Sequence, residues 1–319
     1  MQLRRLLVSI VLVVIALMLG LALGPGSAES MYTVESEPAT PVVESTRVGT
    51  PTQVKRNATS WGYAADRNAA RLEVIEPWLR SALSQVCRTR PHQLTGIDFG
   101  ADQGYFSVEL AKLLRSVDHC DAHVVGAAQV FAVEKGGPGG TLWSKTTNAT
   151  SILVSKLQSL LPADVEGYLC PTEVDRATFT TVAPQCQPSV QFVLSMLHWV
   201  RLVDGVPGLC QAVCGMIRAA AVTVLELPHP RARRTYGESR YRGWYRYESN
   251  LTKLLEGCVV KFCPRCSTVT WIGQTPWGKG LFRELFALSN PCWLAPTEQG
   301  STAACLRGLL GCRKIARTV

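Results

Sequence analysis

Leu94-Thr95-Gly96-Ile97-Asp98-Phe99-Gly100-Ala101-Asp102-Gln103-Gly104-Tyr105-Phe106-Ser107 is the stretch that decides the fold. A short strand carries an acid near its end, a glycine turn follows, and Val108-Glu109-Leu110-Ala111-Lys112-Leu113-Leu114 continues as an amphipathic helix. Gly100 and Gly104 let the backbone approach a ligand where a side chain would clash. The helix beyond them offers unpaired N–H groups and the positive end of its dipole. Together these features describe a ligand crevice at the carboxyl end of a first parallel strand.

The spacing is Asp-x-Gly-x-x-x-Gly rather than the Gly-x-Gly-x-x-Gly of nicotinamide enzymes. It resembles motif I of the class I S-adenosylmethionine-dependent methyltransferases. The resemblance implies that Gly100 and Gly104 line the methionine part of that cofactor, with Asp98 nearby. A glycine-containing strand-to-helix turn of an unrelated α/β protein is the competing reading.

The later elements extend the resemblance. Val130-Phe131-Ala132-Val133-Glu134 reads as a second strand ending in an acid. There the family places a carboxylate that accepts hydrogen bonds from the two ribose hydroxyls. Glu134 lies further from Gly104 than the family pattern leads one to expect. Its other reading is a surface residue ahead of the loop Gly136-Gly137-Pro138-Gly139-Gly140.

Ala149 to Leu161 reads as a helix and Val165 to Cys170 as a third strand. Val190-Gln191-Phe192-Val193-Leu194-Ser195 is a buried fourth strand, and the resemblance puts Ser195 among the cofactor contacts. The acid that usually opens this strand is missing, with Ser189 near its place. Ala219 to Leu227 is a fifth strand, and a helix carrying Leu251, Leu254 and Leu255 follows. Thr268 to Gly273 and Leu281 to Phe286 then read as an antiparallel pair.

The expected fold is α/β and Rossmann-like: a mostly parallel twisted sheet, helices on both faces and a C-terminal antiparallel hairpin. The resemblance covers most of the chain from residue 57 onward. Its motifs are specific for the superfamily and poor for the subfamily.

Methyl transfer demands mainly alignment of a nucleophile with the methyl group. An oxygen nucleophile of high pKa also benefits from a general base. His198 after the fourth strand, and Glu226 and His229 at the end of the fifth, are the candidates; each could instead be a satisfied structural residue. Between His229 and Tyr247 the chain carries Arg231, Arg233, Arg234, Arg240, Arg242 and Arg246 among tyrosines and Trp244. Arginine forks suit phosphate, sulfate or carboxylate, and aromatic faces suit bases or sugar rings. Arg231, Arg234, Arg240 and Arg242 are therefore candidates for holding an anionic acceptor, against the alternative of a solvated basic helix face. Cys263-Pro264-Arg265-Cys266, with Cys258 nearby, lacks a second pair to complete a zinc site, so no metal is expected.

The 319 residues, 47% of them hydrophobic, suffice for one sizeable core with appendages. A net charge of +9 fits anionic partners. Twelve cysteines suit an oxidising compartment. Residues 6–24 are an apolar run behind Arg4 and Arg5, about 28 Å long as a helix and so long enough to span a bilayer. The positive-inside rule then keeps the N-terminus cytosolic and sends the body across the membrane. A signal peptide cleaved near Ala28 is the alternative, which would make the protein secreted.

Asn57-Ala58-Thr59, Asn148-Ala149-Thr150 and Asn250-Leu251-Thr252 are glycosylation sequons that agree with this topology. The expected organisation is an anchor over 1–28, a flexible stem over 29–56, a methyltransferase domain over 57–288 and a loosely packed, cysteine-containing tail over 289–319 that disulfides could tie down.

These features lead to a membrane-anchored S-adenosylmethionine-dependent methyltransferase of the secretory pathway that O-methylates a glycan or another anionic acceptor. Two alternatives stay open. One is an RNA methyltransferase, since Leu194-Ser195-Met196-Leu197-His198-Trp199-Val200, with Gly62-Tyr63 and Arg71-Leu72 upstream, faintly resembles enzymes that modify RNA 5′ phosphates. The basic-aromatic segment would suit RNA too, but a lumenal address makes nucleic acid the less favoured partner. The other is a non-catalytic protein that keeps the fold as a binding or scaffold module.

Overall fold

The computed structural model describes residues 65–89, 94–117, 128–134, 149–194, 196–197, 205–229, 250–263, 267–278, 281–290 and 302–316. All of them belong to one compact unit running from Lys55 to Val319.

In chain order the helices are α1 (Ala65–Thr89), α2 (Tyr105–Arg115), α3 (Ala149–Leu160), α4 (Ala183–Cys186), α5 (Gly205–Ala219), α6 (Leu251–Phe262) and α7 (Thr302–Leu310). A single π-helical turn, Thr178–Val182, leads into α4. The strands are β1 (Thr95–Phe99), β2 (Ala128–Val133), β3 (Val165–Cys170), β4 (Val190–Val193), β5 (Val222–Pro228), β6 (Thr268–Gly278), β7 (Leu281–Ser289) and β8 (Arg313–Lys314).

The strands form one sheet in the order β6-β7-β5-β4-β1-β2-β3-β8. β1 pairs in parallel with β2 and β4, β2 with β3, and β4 with β5. β7 is antiparallel to both β5 and β6. The chain moves outward through β2 and β3, then returns to place β4 on the other side of β1. That reversal is the topological switch point, where open α/β sheets bind their ligands.

Alternation along the strands sends side chains to two cores. Ile97 and Phe99 join Phe131, Val133 and the buried faces of α5, α6 and α7. The opposite face packs Phe192 and Val224 against α1 and α2. α1 reads as a helix because Leu72, Ile75, Leu79 and Leu83 recur at spacings of three and four and are all buried. It continues through Pro77 at the loss of one backbone donor. At the head of β4, Ser189 Oγ accepts from Thr95 N at 3.1 Å and Ser189 N donates to Thr95 O at 2.9 Å. The residue standing near the expected acid thus fastens the start of β4 to β1.

Two expectations need correction. Ala219 closes α5, and β5 begins only at Val222, because the apolar run continues across the helix-to-strand junction. The tail is not a loose appendage. α7 buries Ala303, Leu306 and Leu310, and β8 extends the sheet antiparallel to β3. Disulfides Cys170–Cys312 and Cys186–Cys305 fasten this segment to β3 and α4. Two more, Cys210–Cys258 and Cys214–Cys263, staple α5 to α6.

Candidate functional site

The turn between β1 and α2 is built on three left-handed residues: Gly100 at φ 76°, Asp102 at φ 47° and Gly104 at φ 85°. Only glycine adopts this region without steric cost, so Asp102 carries strain that the two glycines do not. Backbone bonds hold the turn to β2. Gly100 N and Ala101 N both donate to Val133 O, at 2.9 and 3.1 Å, and Gly104 N closes on Ala101 O at 2.7 Å.

The glycines also serve packing. A Cβ on Gly100 would run into the Met196 side chain, and one on Gly104 into Leu153. The left-handed φ at both positions, together with these close side chains, favours glycine with or without a ligand.

Carboxylates converge on this turn. Glu134, just past β2 and 7% exposed, accepts the backbone N–H of Asp102 on Oε2 at 2.9 Å. Asp98 is 2% exposed and accepts the Ser107 hydroxyl at 2.7 Å. Burial pushes the Asp98 carboxyl up to about 7 against that hydrogen bond, and the charge of Glu134 adds to the rise. Asp98 thus ties β1 to the first turn of α2, while Glu134 ties β2 to the turn between them.

Glu226, near the end of β5, is not open at the rim as a base would need to be. Its side chain is fully buried, with Oε1 3.2 Å from Arg71 Nη2 and 3.6 Å from Arg283 Nε. Two buried guanidiniums flank the carboxylate, an ion-pair core linking α1, β5 and β7. Arg71 also lies over the Phe106 ring at 5.9 Å, which brings α2 into the same cluster.

His229 stands one residue beyond β5 and is half-buried. Its backbone N–H donates to Phe282 O at 3.1 Å, and its Nε2 lies 3.5 Å from Glu284 Oε1. Loss of hydration raises the Glu284 carboxyl above its usual value, and His229 counters part of that rise. A histidine next to a carboxylate at the strand ends is compatible with general-base chemistry.

Asp98, Gly100, Gly104 and Glu134 therefore come together at the carboxyl ends of β1 and β2, while Glu226 and His229 lie at the end of β5. Ser195, His198, Arg231, Arg234, Arg240, Arg242 and the apolar run 6–24 lie outside the described residues. Among the described residues, no helix is long and apolar enough to cross a membrane. Cys258 and Cys263, weighed for zinc, are both in disulfides to α5.

Sequence reasoning missed Ser107, Arg283 and Glu284, and singled out Arg71 only for a resemblance to RNA methyltransferases, not as a partner of Glu226. Glu284 had a usable signal, an acid inside an apolar strand next to Arg283. The partnership of Arg71 with Glu226 spans 155 positions and had none.

The strand order, the parallel register and the closing antiparallel hairpin define a class I methyltransferase fold. No protein-family model matches the chain, and no curated protein does either. Among solved structures, the bifunctional kinase-methyltransferase WbdD aligns at 16% identity and TM-score 0.45 over 69% of this chain. The chain spans only 39% of WbdD. The N-methyltransferase NodS from Bradyrhizobium japonicum WM9 aligns at 12% identity and TM-score 0.36, covering 68% of this chain and 96% of NodS. Magnesium protoporphyrin IX methyltransferase from Synechocystis PCC 6803, solved with bound SAH, aligns at 11% identity and TM-score 0.41, covering 72% and 88%. The fold assignment rests on the topology of the sheet, not on these distant likenesses.

Proposed function

We propose that the chain is an S-adenosylmethionine-dependent methyltransferase. The observation that carries this reading is Glu134, a carboxylate at the carboxyl end of β2 hydrogen-bonded into the left-handed turn after β1. That placement suits the vicinal hydroxyls of a ribose, beside the glycine turn at the carboxyl end of the first strand. Asp98, Gly100, Gly104 and Glu134 would hold the cofactor, which supplies an electrophilic methyl group on a sulfonium.

The rest is done by the chain's own residues. His229 takes the proton from the acceptor oxygen, Glu284 orients the imidazole, and the rim of β4 and β5 lines the acceptor up. The two arginine partners of Glu226 favour His229 over it as the base. The acceptor is an oxygen of a glycan or another anionic molecule, gripped by Arg231, Arg234, Arg240 and Arg242. Residues 6–24 anchor the protein, and its disulfide-bonded body faces an oxidising lumen. The disulfides among the described residues support the compartment, since such bridges are rare in reduced cytosol.

One observation favours a second reading. Met196 fills the space above Gly100 and Leu153 the space beside Gly104, so both glycines are explained by packing alone. A methyltransferase fold retained as a binding module would keep them for that reason.

Calorimetric titration of S-adenosylmethionine and S-adenosylhomocysteine into the folded body, beside Gly100→Arg, separates the two. Saturable binding that the variant loses is the expected result. A folded protein that binds neither molecule is the binding module.

A further inference from the structure

Asn250-Leu251-Thr252, one of the three sequons, lies at a point where the structure can receive a sugar. Asn250 is exposed and caps α6, its Oδ1 accepting Lys253 N at 3.1 Å. N-glycosylation modifies Nδ2 and leaves Oδ1 unchanged, so the cap survives the modification. Leu251 is buried and fixes the backbone, which stops the modified residue from withdrawing into the core.

Beside Asn250 is an open cavity of about 400 Å³ lined by Asn250, Leu251, Thr252, Trp271, Gln274 and Glu284. Trp271, on edge strand β6, is 50% exposed. An exposed indole face flanked by amide and carboxylate groups is the chemistry that accepts a pyranose: the ring stacks and its hydroxyls and acetamide find hydrogen-bond partners.

We propose that Asn250 is N-glycosylated and that the first N-acetylglucosamine of its glycan seats in this cavity over Trp271. The donor is a lipid-pyrophosphate-linked oligosaccharide supplied by the secretory pathway. The Asn250 Nδ2 forms a bond to the anomeric carbon and gives up one proton. The bond from that carbon to the pyrophosphate oxygen breaks, and the lipid pyrophosphate leaves with the electron pair. The disulfides argue independently that the chain matures where such donors are available. The inference stands without methyl transfer, and it competes with the general-base reading for Glu284, which lines this cavity and also lies 3.5 Å from His229.

The test uses the full chain expressed in a eukaryotic secretory host, with peptide mass spectrometry before and after peptide N-glycosidase F. The peptide containing residue 250 carries a glycan, which the glycosidase removes while converting Asn250 to aspartate. Asn250→Gln and Thr252→Ala abolish the modification, and Thr252→Ser keeps it. An unmodified Asn250 in the disulfide-bonded protein overturns the proposal.

Seating is read from melting temperature. Trp271→Ala lowers that of the glycosylated protein by about 2 °C more than that of the enzymatically deglycosylated one. Equal losses in the two forms would remove the seat and leave only the attachment.

Discussion

Glu134 Oε2 accepts the backbone N–H of Asp102 at 2.9 Å, so the acid after β2 is fixed by the turn after β1. The end of β2 and the turn after β1 are thereby coupled through one hydrogen bond. Because Asp102 is held at φ 47°, its N–H points where Glu134 can take it. Replacing Glu134 with Gln keeps an acceptor for Asp102 and removes the charge that ribose hydroxyls would meet. Glu134→Gln is expected to bind S-adenosylmethionine roughly 10–100-fold more weakly with its melting temperature little changed, by the strength of hydrogen bonds to charged groups. Unchanged affinity on calorimetry would remove Glu134 from the cofactor site.

Asp98 predicts a pH dependence of stability. Its carboxyl is raised from 3.8 to about 7 in the folded chain, so the folded state binds the proton more tightly. Stability from this group is greatest below the unfolded value and declines as pH rises through the interval to about 7. The decline is of order 4 kcal/mol for a fully buried carboxyl. Asp98→Asn keeps an acceptor for Ser107 without the charge. Urea denaturation between pH 4.5 and 7.5 should show a flatter stability profile for the variant than for the native chain. Parallel profiles would mean that Asp98 is ionised throughout.

The ion-pair core makes a different claim. Glu226→Gln leaves Arg71 and Arg283 buried without their carboxylate, at a cost of about 3–5 kcal/mol. Denaturant midpoints of the variant should fall accordingly, whether or not any cofactor is present. A variant with native stability and lost methyl transfer would restore Glu226 to the chemistry.

The parallel part of the sheet was legible because its strands are short, largely apolar runs, and β3 matches its reading residue for residue; β8, a two-residue Arg-Lys pairing in the tail, was not. The turn was legible because glycine at positions 100 and 104 has few other uses. Helix α1 went unread: its stripe of Leu72, Ile75, Leu79 and Leu83 passes through Pro77, which reads locally as a breaker. The tail misled because its anchors are long-range. Cys312 meets Cys170 across 142 positions and Cys305 meets Cys186 across 119, and no local pattern announces either. Glu226 looked like a rim acid since its position at a strand end is local, whereas both arginines that bury it come from other elements.

Those long-range bridges carry their own prediction. Substituting Cys170, Cys186, Cys305 and Cys312 together by alanine should destabilise the domain by several kcal/mol, about 2–5 for each bridge lost. Limited proteolysis should then cut within α7 while the native chain resists. Resistance equal to that of the native chain would show that the burial of Leu306 and Leu310 alone holds the tail.

His229 and Glu284 set the last expectation, which depends on methyl transfer being the activity. If the imidazole takes the acceptor proton, His229→Gln loses about 100-fold or more in turnover while its affinity for S-adenosylmethionine is unchanged. Glu284→Gln loses less, because the imidazole remains and only its orientation is freed. The assay is transfer of labelled methyl from S-adenosylmethionine into a crude glycan extract, with calorimetry on the same preparations. A His229→Gln variant that turns over normally would move the proton transfer away from β5 and leave the 3.5 Å contact with Glu284 as a structural tie between β5 and β7. Loss of cofactor binding together with turnover would instead make His229 part of the crevice wall. Only the first pattern, turnover lost and binding kept, identifies a base.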